Sequence, residues 1–250
     1  MRIKLIACKV MTREISLLAA RSPHYIDITW LRQGLHNEPE RLRQTLQEVI
    51  DQIDAGTHLG SCQQEVGGYD AIVLGYGLCS NGIVGVGSNQ YPVVVPRAHD
   101  CITLFLGSKE RYRQLFDAND GGIYWYTDGW IENSIMPSRT LRDQLYEQYA
   151  ELYGEENADY LIEMDHGWYA NYQAAIYLSP FEGESGQGKA FTQDAAAFFH
   201  WKYMEQRQDP RLFEQMLSGD WDPEQFLVVP AGAVVAPSYE EETIVVSQLR

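Results

Sequence analysis

Three cysteines and one histidine carry the most reactive chemistry in the sequence: Cys8, Cys79, His99 and Cys101. Thiolates and imidazoles suit zinc, and a catalytic zinc uses three protein ligands and keeps one position open. Three cysteines can also hold an iron–sulfur cluster with one iron free for substrate. The set predicts a metal site, and the His-x-Cys pair slightly favours zinc.

The elements around these cysteines predict that they meet. Cys8 ends an apolar strand near the start of the chain, and Cys79 lies in the turn after the β-branched run Ala71–Leu74. Cys101 lies in the turn after a second such run, Val93–Val95. Because ligands bind outside the carboxyl ends of parallel strands, we expect the three thiols at one edge of a sheet.

Two other roles are open for these cysteines. Free cysteine commonly serves as a small buried apolar residue. Alternatively, Cys79 or Cys101 acts without metal as a nucleophile beside His99, which requires a depressed thiol pKa. Four cysteines in 250 residues, with Cys62 in a loop before a strand, are too few for a disulfide framework, so we expect a reducing cytoplasm.

The turns next to the cysteines supply further candidate binding residues. Gly75, Gly77 and Asn81 lie in a glycine-rich turn that matches neither a dinucleotide fingerprint nor a phosphate-binding loop. We expect these glycines either to let the backbone approach a small ligand or to form a tight turn. Arg97 is expected to hold an anionic group bidentately or to pair with a nearby aspartate.

The elements that must position these residues indicate an α/β fold with a Rossmann-like, largely parallel sheet. Strands are predicted at 3–8, 25–30, 71–74, 93–95, 123–126 and 226–230, with an edge strand or tail at 243–246. Helices are predicted at 11–21, 38–55 and 102–116.

The sequence pattern changes after residue 135 to a mostly helical and acidic one, which predicts a chain of three parts. Residues 1–135 form the α/β sheet domain, 136–225 a mostly helical, acidic cap, and 226–250 a strand that returns to the sheet and a tail. Within the cap, helices are predicted from the stripe that begins at Leu141 and over 160–177 and 191–207.

Charge and hydropathy exclude two classes of partner. The formal net charge is −16, with 7 basic and 22 acidic residues after position 120, so a phosphate backbone is repelled and nucleic-acid binding is not expected. No stretch approaches the roughly 18 apolar residues of a membrane span, so no membrane segment is expected.

Longer motifs around the cysteines resemble domain-of-unknown-function family 1638 of bacteria and archaea. The matching segments are Ile6-Ala7-Cys8, Gly34-Leu35-His36 with Pro39, Gly75–Gly82, Pro96–Ser108, Gly129-Trp130 and Tyr153-Gly154. The resemblance implies that proteins of this family often occur in anaerobes and that their genes frequently lie near genes for corrinoid-dependent methyltransferases. It implies no reaction.

These observations lead to two hypotheses for function. The first is a cytoplasmic metal-binding protein whose zinc or iron–sulfur site supports thiol or methyl-transfer chemistry linked to corrinoid metabolism. The His-x-Cys pair resembles the ligands of zinc-dependent thiol alkyltransferases, although here the other cysteines precede the pair. The second is a non-enzymatic accessory protein that binds a corrinoid or a methyltransferase partner through the acidic, aromatic cap.

Overall fold

The computed structural model describes residues 1–57, 68–238 and 244–248, so Cys62 lies outside the described residues. The chain forms two compact units: Met1–Lys109 together with Asp209–Arg250, and Glu110–Gln208. The boundaries therefore fall near 109 and 208, whereas the sequence pattern placed them at 135 and 225. Among the described residues, no helix has the length and apolar character needed to cross a membrane.

The first unit is built on a five-stranded sheet of order β2-β1-β3-β4-β8. Its strands are β1 (Arg2–Cys8), β2 (Tyr25–Leu31), β3 (Ala71–Gly75), β4 (Val93–Pro96) and β8 (Phe226–Val229). The first four are parallel, and β8 pairs antiparallel with β4. The largely parallel α/β sheet and the late returning strand are thus confirmed. A separate antiparallel hairpin joins β9 (Ala233–Pro237) and β10 (Ile244–Gln248).

Helices α1 (Thr12–Ala19) and α2 (Pro39–Asp54) follow the first two strands. In α2 the buried residues repeat at helical spacing, and Pro39 occupies the first turn, where its missing N–H costs nothing. The predicted helix 102–116 is two helices, α3 (Cys101–Leu106) and α4 (Lys109–Asp117). Gly107 ends α3 in the left-handed conformation, with φ of 69°. Helix α9 (Arg211–Ser218) belongs to the same unit as α3.

The second unit contains its own parallel sheet, of order β5-β6-β7. Strand β5 (Ile123–Tyr126) pairs with β6 (Ala174–Ser179), and β6 pairs with β7 (Lys202–Arg207). The prediction that β5 belongs to the first sheet is therefore wrong. The predicted helices 160–177 and 191–207 are wrong at their carboxyl ends, because Ala174–Ser179 and Lys202–Arg207 form strands. The first five residues of β6 are buried, which is typical of a central parallel strand.

Helices complete the second unit: α5 (Asp128–Asn133), α6 (Arg139–Tyr153), α7 (Glu155–His166) and α8 (Gly188–Phe199). His200, with φ of 60°, ends α8 and lets the chain enter β7. With these boundaries the second unit holds 7 basic and 17 acidic residues. Some of the acidic residues that the sequence pattern assigned to the cap therefore belong to the first unit.

A fully buried ion pair crosses the first two strands. Lys4 and Asp27 are register partners, with Nζ and Oδ2 3.1 Å apart and neither side chain exposed. The Tyr69 hydroxyl also donates a hydrogen bond to the Asp27 carboxylate. Such a pair requires accurate geometry, because each charge loses its hydration inside the protein.

Candidate functional site

The candidate site lies at the carboxyl edge of the first sheet, where the strand order reverses. The chain passes from β1 outward to β2 on one side, and later from β3 outward to β4 on the other. Ligands of open parallel sheets bind in the crevice at this point. Cys8 is the last residue of β1, and Tyr76 follows directly after β3. Because Ala7 is in register with Gly75, Cys8 and Tyr76 leave the two central strands side by side.

Cys79 is positioned by an unusual backbone turn. Cys79, Ser80 and Asn81 have φ angles of 45°, 56° and 67°, three consecutive left-handed residues with none of them glycine. The left-handed conformation costs an L-residue about 1–2 kcal/mol, and such strain clusters at functional sites. Two backbone hydrogen bonds hold the turn against the segment after β4, from Leu78 N to Ala98 O (2.7 Å) and from Cys79 N to His99 O (3.0 Å).

Gly75 and Gly77, predicted either to approach a ligand or to form a tight turn, both lie very close to other parts of the protein. A Cβ atom at Gly75 would lie 2.6 Å from the Ala7 Cβ. A Cβ atom at Gly77 would lie 2.7–2.8 Å from three backbone atoms of Asp100. Gly77 therefore allows the turn that carries Cys79 to pack directly on the residue before Cys101.

Cys101 is the first residue of α3, and its position depends on Asp100. The Asp100 carboxylate caps this short helix by accepting a hydrogen bond from the Thr103 N–H, at 3.3 Å. Helix α3 is anchored by a fully buried side, since Ile102 to Leu106 are all buried. The cap and the apolar side together hold Cys101 at the sheet edge.

The three thiols share one electrostatic environment. Burial raises the pKa of Cys8, raises the pKa of Cys79 to about 12, and raises that of Cys101 well above its usual value. The Asp100 carboxylate further raises the pKa values of Cys79 and Cys101, and each of these thiols also responds to Cys8. The structure thus brings together the three cysteines that the sequence selected.

Nearby backbone N–H groups oppose the effect of burial. Those of Val10 and Gly77 lower the pKa of Cys8 and Cys79, and the backbone N–H of Cys101 lowers the pKa of its own thiol. Such donors stabilise negative charge on sulfur, and they also tune thiolates that ligate metals. Burial of the site therefore disfavours thiolates, whereas the nearby backbone N–H groups favour them.

Tyr76 interacts electrostatically with all three thiols. The residue is only 3% exposed, and its hydroxyl is buried without a regular hydrogen bond to any described residue, although it approaches the Cys8 thiol. Burial raises the pKa of Tyr76, and the charges of Cys8, Cys79 and Cys101 raise it further. A buried hydroxyl without a partner costs about 1–3 kcal/mol. The Tyr76 hydroxyl is therefore a buried donor next to the three thiols, and Cys8 is its nearest acceptor in electrostatic terms.

His99, predicted as a ligand, lies at this edge, but its side chain is exposed to solvent. Its neighbours Ala98 and Asp100 are less exposed, and the backbone carbonyl of His99, not its ring, contacts the Cys79 turn. His36 lies closer to the group than the sequence suggested. Burial lowers the His36 pKa and the Asp100 carboxylate opposes that effect, which places this imidazole near Asp100.

The remaining predicted binding residues have other partners. The Arg97 guanidinium donates hydrogen bonds to the backbone carbonyls of Pro223 (2.9 Å) and Ile244. Asn81 is exposed, and its carbonyl accepts a hydrogen bond from Arg43 at 3.3 Å. Arg97 thus links the turn after β4 to the β9–β10 hairpin.

The chemistry of the donor set can be judged from these contacts. Three sulfur ligands fit zinc or an iron–sulfur cluster and leave one position open. Within the described ranges, however, no three His, Cys, Asp or Glu side chains form a ready-made metal site. The raised pKa values of Cys79 and Cys101 contradict the depressed pKa that a metal-free nucleophile requires.

A comparison with known proteins adds a family. The family model for a protein of unknown function, DUF1638, matches residues 30–217. The matched range includes Cys79, Cys101 and Tyr76 and begins after Cys8. No curated protein and no solved structure matches the chain.

Proposed function

The chain belongs to the DUF1638 family, and we propose that this member binds a thiophilic metal, as zinc or an iron–sulfur cluster, through Cys8, Cys79 and Cys101. One observation carries the proposal: three thiols interact electrostatically with one buried Tyr76 hydroxyl at the edge where the strand order reverses, and that hydroxyl has no partner of regular geometry among the described residues. Buried polar groups are nearly always hydrogen-bonded, so this hydroxyl and the thiols together support a ligand-binding role for the crevice.

The proposal includes a local closure of the site. Because the thiols are protonated and do not form a ready-made ligand set, binding requires loss of their protons and rotation of their side chains toward one centre. The backbone N–H groups of Val10 and Gly77 lower the pKa of Cys8 and Cys79, so they would stabilise the thiolates formed.

A zinc ion held by three thiolates would supply one open position, where an external thiol can be activated as a thiolate. In the reaction we propose, the external thiol would lose its proton to solvent and its sulfur would form a bond to the alkyl or methyl carbon. The bond between that carbon and its donor would break, and the donor would leave with the electron pair, which for a methylcorrinoid means the cobalt(I) form. A corrinoid is the donor class that the family resemblance suggests.

The test is metal analysis of protein purified without oxygen. We expect close to one equivalent of zinc, or iron with a visible charge-transfer spectrum, and a loss of that metal in Cys8→Ser, Cys79→Ser and Cys101→Ser. Cys62→Ser is the control, because Cys62 has no part in the proposed ligand set. Less than about 0.1 equivalent of zinc, iron or nickel, with freely titratable thiols, would overturn the proposal.

Equilibrium binding of cobalamin distinguishes metal chemistry from the accessory role. Cobalamin binding that is unchanged by Cys79→Ser and Cys101→Ser would favour an accessory protein. Methyl transfer to a thiol that is lost in the same variants would favour the metal site.

A further inference from the structure

Helix α7 in the second unit has apolar side chains on two opposite faces. Ala158 and Ile162 face the interior and are 0% and 7% exposed. Tyr160 and Met164, four residues apart, are 62% and 65% exposed on the other side. We call Tyr160 and Met164 the outer face of α7. A helix of a monomeric protein ordinarily presents polar residues on its solvent side, so this face departs from the usual pattern.

The outer face of α7 continues into the next turn. Trp168, four residues after Met164, is 42% exposed, while its ring also contacts Tyr169 at a centroid distance of 4.1 Å. Single exposed apolar residues are common, but a row at helical spacing marks a binding surface. The row is backed by packed aromatic residues, since Tyr169 belongs to the buried core of this unit.

The charges around this face select its partner. Residues 139–171 contain two basic and eight acidic side chains, and α7 itself has no lysine or arginine. Glu156 and Glu163 are exposed and lie four residues before and three residues after Tyr160, which places them beside the apolar row. A second copy of the chain would meet the same negative charge on a molecule of net charge −16, so self-association is opposed.

We propose that the outer face of α7 is a docking surface for a basic amphipathic helix of a partner protein. The apolar side chains of that helix pack on Tyr160 and Met164, and its lysines or arginines meet Glu156 and Glu163. Such pairing follows the helix-recognition mode in which spaced apolar anchors give affinity and charges give specificity. The inference does not depend on metal binding in the first unit.

The test uses the full chain and a fluorescein-labelled Leu/Lys amphipathic helix of about five turns. We expect saturable binding by fluorescence anisotropy that weakens as salt rises from about 50 mM to about 500 mM. The double variant Tyr160→Ser, Met164→Ser should bind the peptide at least about tenfold more weakly. Val246→Ser, which removes an exposed apolar residue of the other unit, should leave binding unchanged.

A peptide of the same composition with a scrambled, non-amphipathic order separates docking from general charge attraction. Equal binding of the two peptides would overturn the proposal, as would unchanged binding in the double variant with its circular dichroism spectrum intact. Concentration-dependent dimerisation that is lost in the double variant would also overturn it, since the occupant would then be a second copy.

Discussion

Replacing Tyr76 with phenylalanine should change the stability of the metal-free and metal-loaded protein in opposite directions. In the metal-free state the hydroxyl is buried and unsatisfied, so Tyr76→Phe removes a penalty of about 1 kcal/mol. For a chain of this size that gain corresponds to a rise in Tm of about 2–4 °C. The ring itself is retained, so no cavity opens.

With metal bound, the same hydroxyl can donate to a charged thiolate, and a hydrogen bond to a charged group contributes about 1.5–3 kcal/mol. The variant loses that contribution. The gain in the metal-free state and the loss in the metal-bound state add in the thermodynamic cycle, so metal binding is weakened by about 2.5–4 kcal/mol, which is roughly 70- to 850-fold. Thermal unfolding with and without metal and a chelator competition titration measure the two effects separately.

Tyr69→Phe is the matched control. The Tyr69 hydroxyl donates to the buried Asp27 carboxylate, so its removal should lower the Tm of both forms and leave metal affinity unchanged. The reasoning is refuted if Tyr76→Phe lowers the Tm of the metal-free protein, or if its metal affinity stays within about twofold of the parent while the parent binds metal.

Three further predictions concern the stability of the two units. Lys4→Met should cost about 3–5 kcal/mol in urea unfolding because it leaves the Asp27 charge buried, while Lys4→Met with Asp27→Leu should recover most of that loss. Gly77→Ala should cost about 1–3 kcal/mol in the same assay and reduce metal content, because its Cβ would lie 2.7 Å from backbone after β4. Lys189, 2.7 Å from Glu205, lowers the pKa of that carboxyl, so the pair stabilises the fold above pH 4.5 and loses its effect as pH falls further. Lys189→Met should therefore cost about 0.5 kcal/mol at pH 7 and nothing near pH 2, a contrast that unfolding curves at the two pH values would reveal.

The meeting of the three thiols could be predicted because it depends only on strand direction. Each of Cys8, Cys79 and Cys101 follows a β-branched or apolar run, and parallel strands bring their carboxyl ends to one edge. The position of Tyr76 could not be predicted in the same way, because no pattern in the sequence indicates it. Tyr76 enters through the register of β1 and β3, and nothing in the sequence indicates that a hydroxyl will be left without a partner.

The second sheet shows where periodicity fails. The run Ala174–Leu178 is short and hydrophobic, a pattern that suits a buried strand and a buried helix equally. The run Lys202–Arg207 is polar and follows a helical pattern, yet it pairs in parallel with β6 over its whole length. In both cases pairing with a distant strand decided the conformation, and local sequence did not.

The discontinuity of the first unit has a consequence for synthesis of the chain. Strand β4 ends at Pro96, and its antiparallel neighbour β8 starts at Phe226, about 130 residues later. At ribosomal rates of about 5–20 residues per second, the free edge of β4 waits roughly 6 to 26 s for its partner strand. The second unit is continuous and can fold during that interval. Until β8 arrives, the unpaired edge of a wholly buried, β-branched strand is the part of the nascent chain most prone to aggregate.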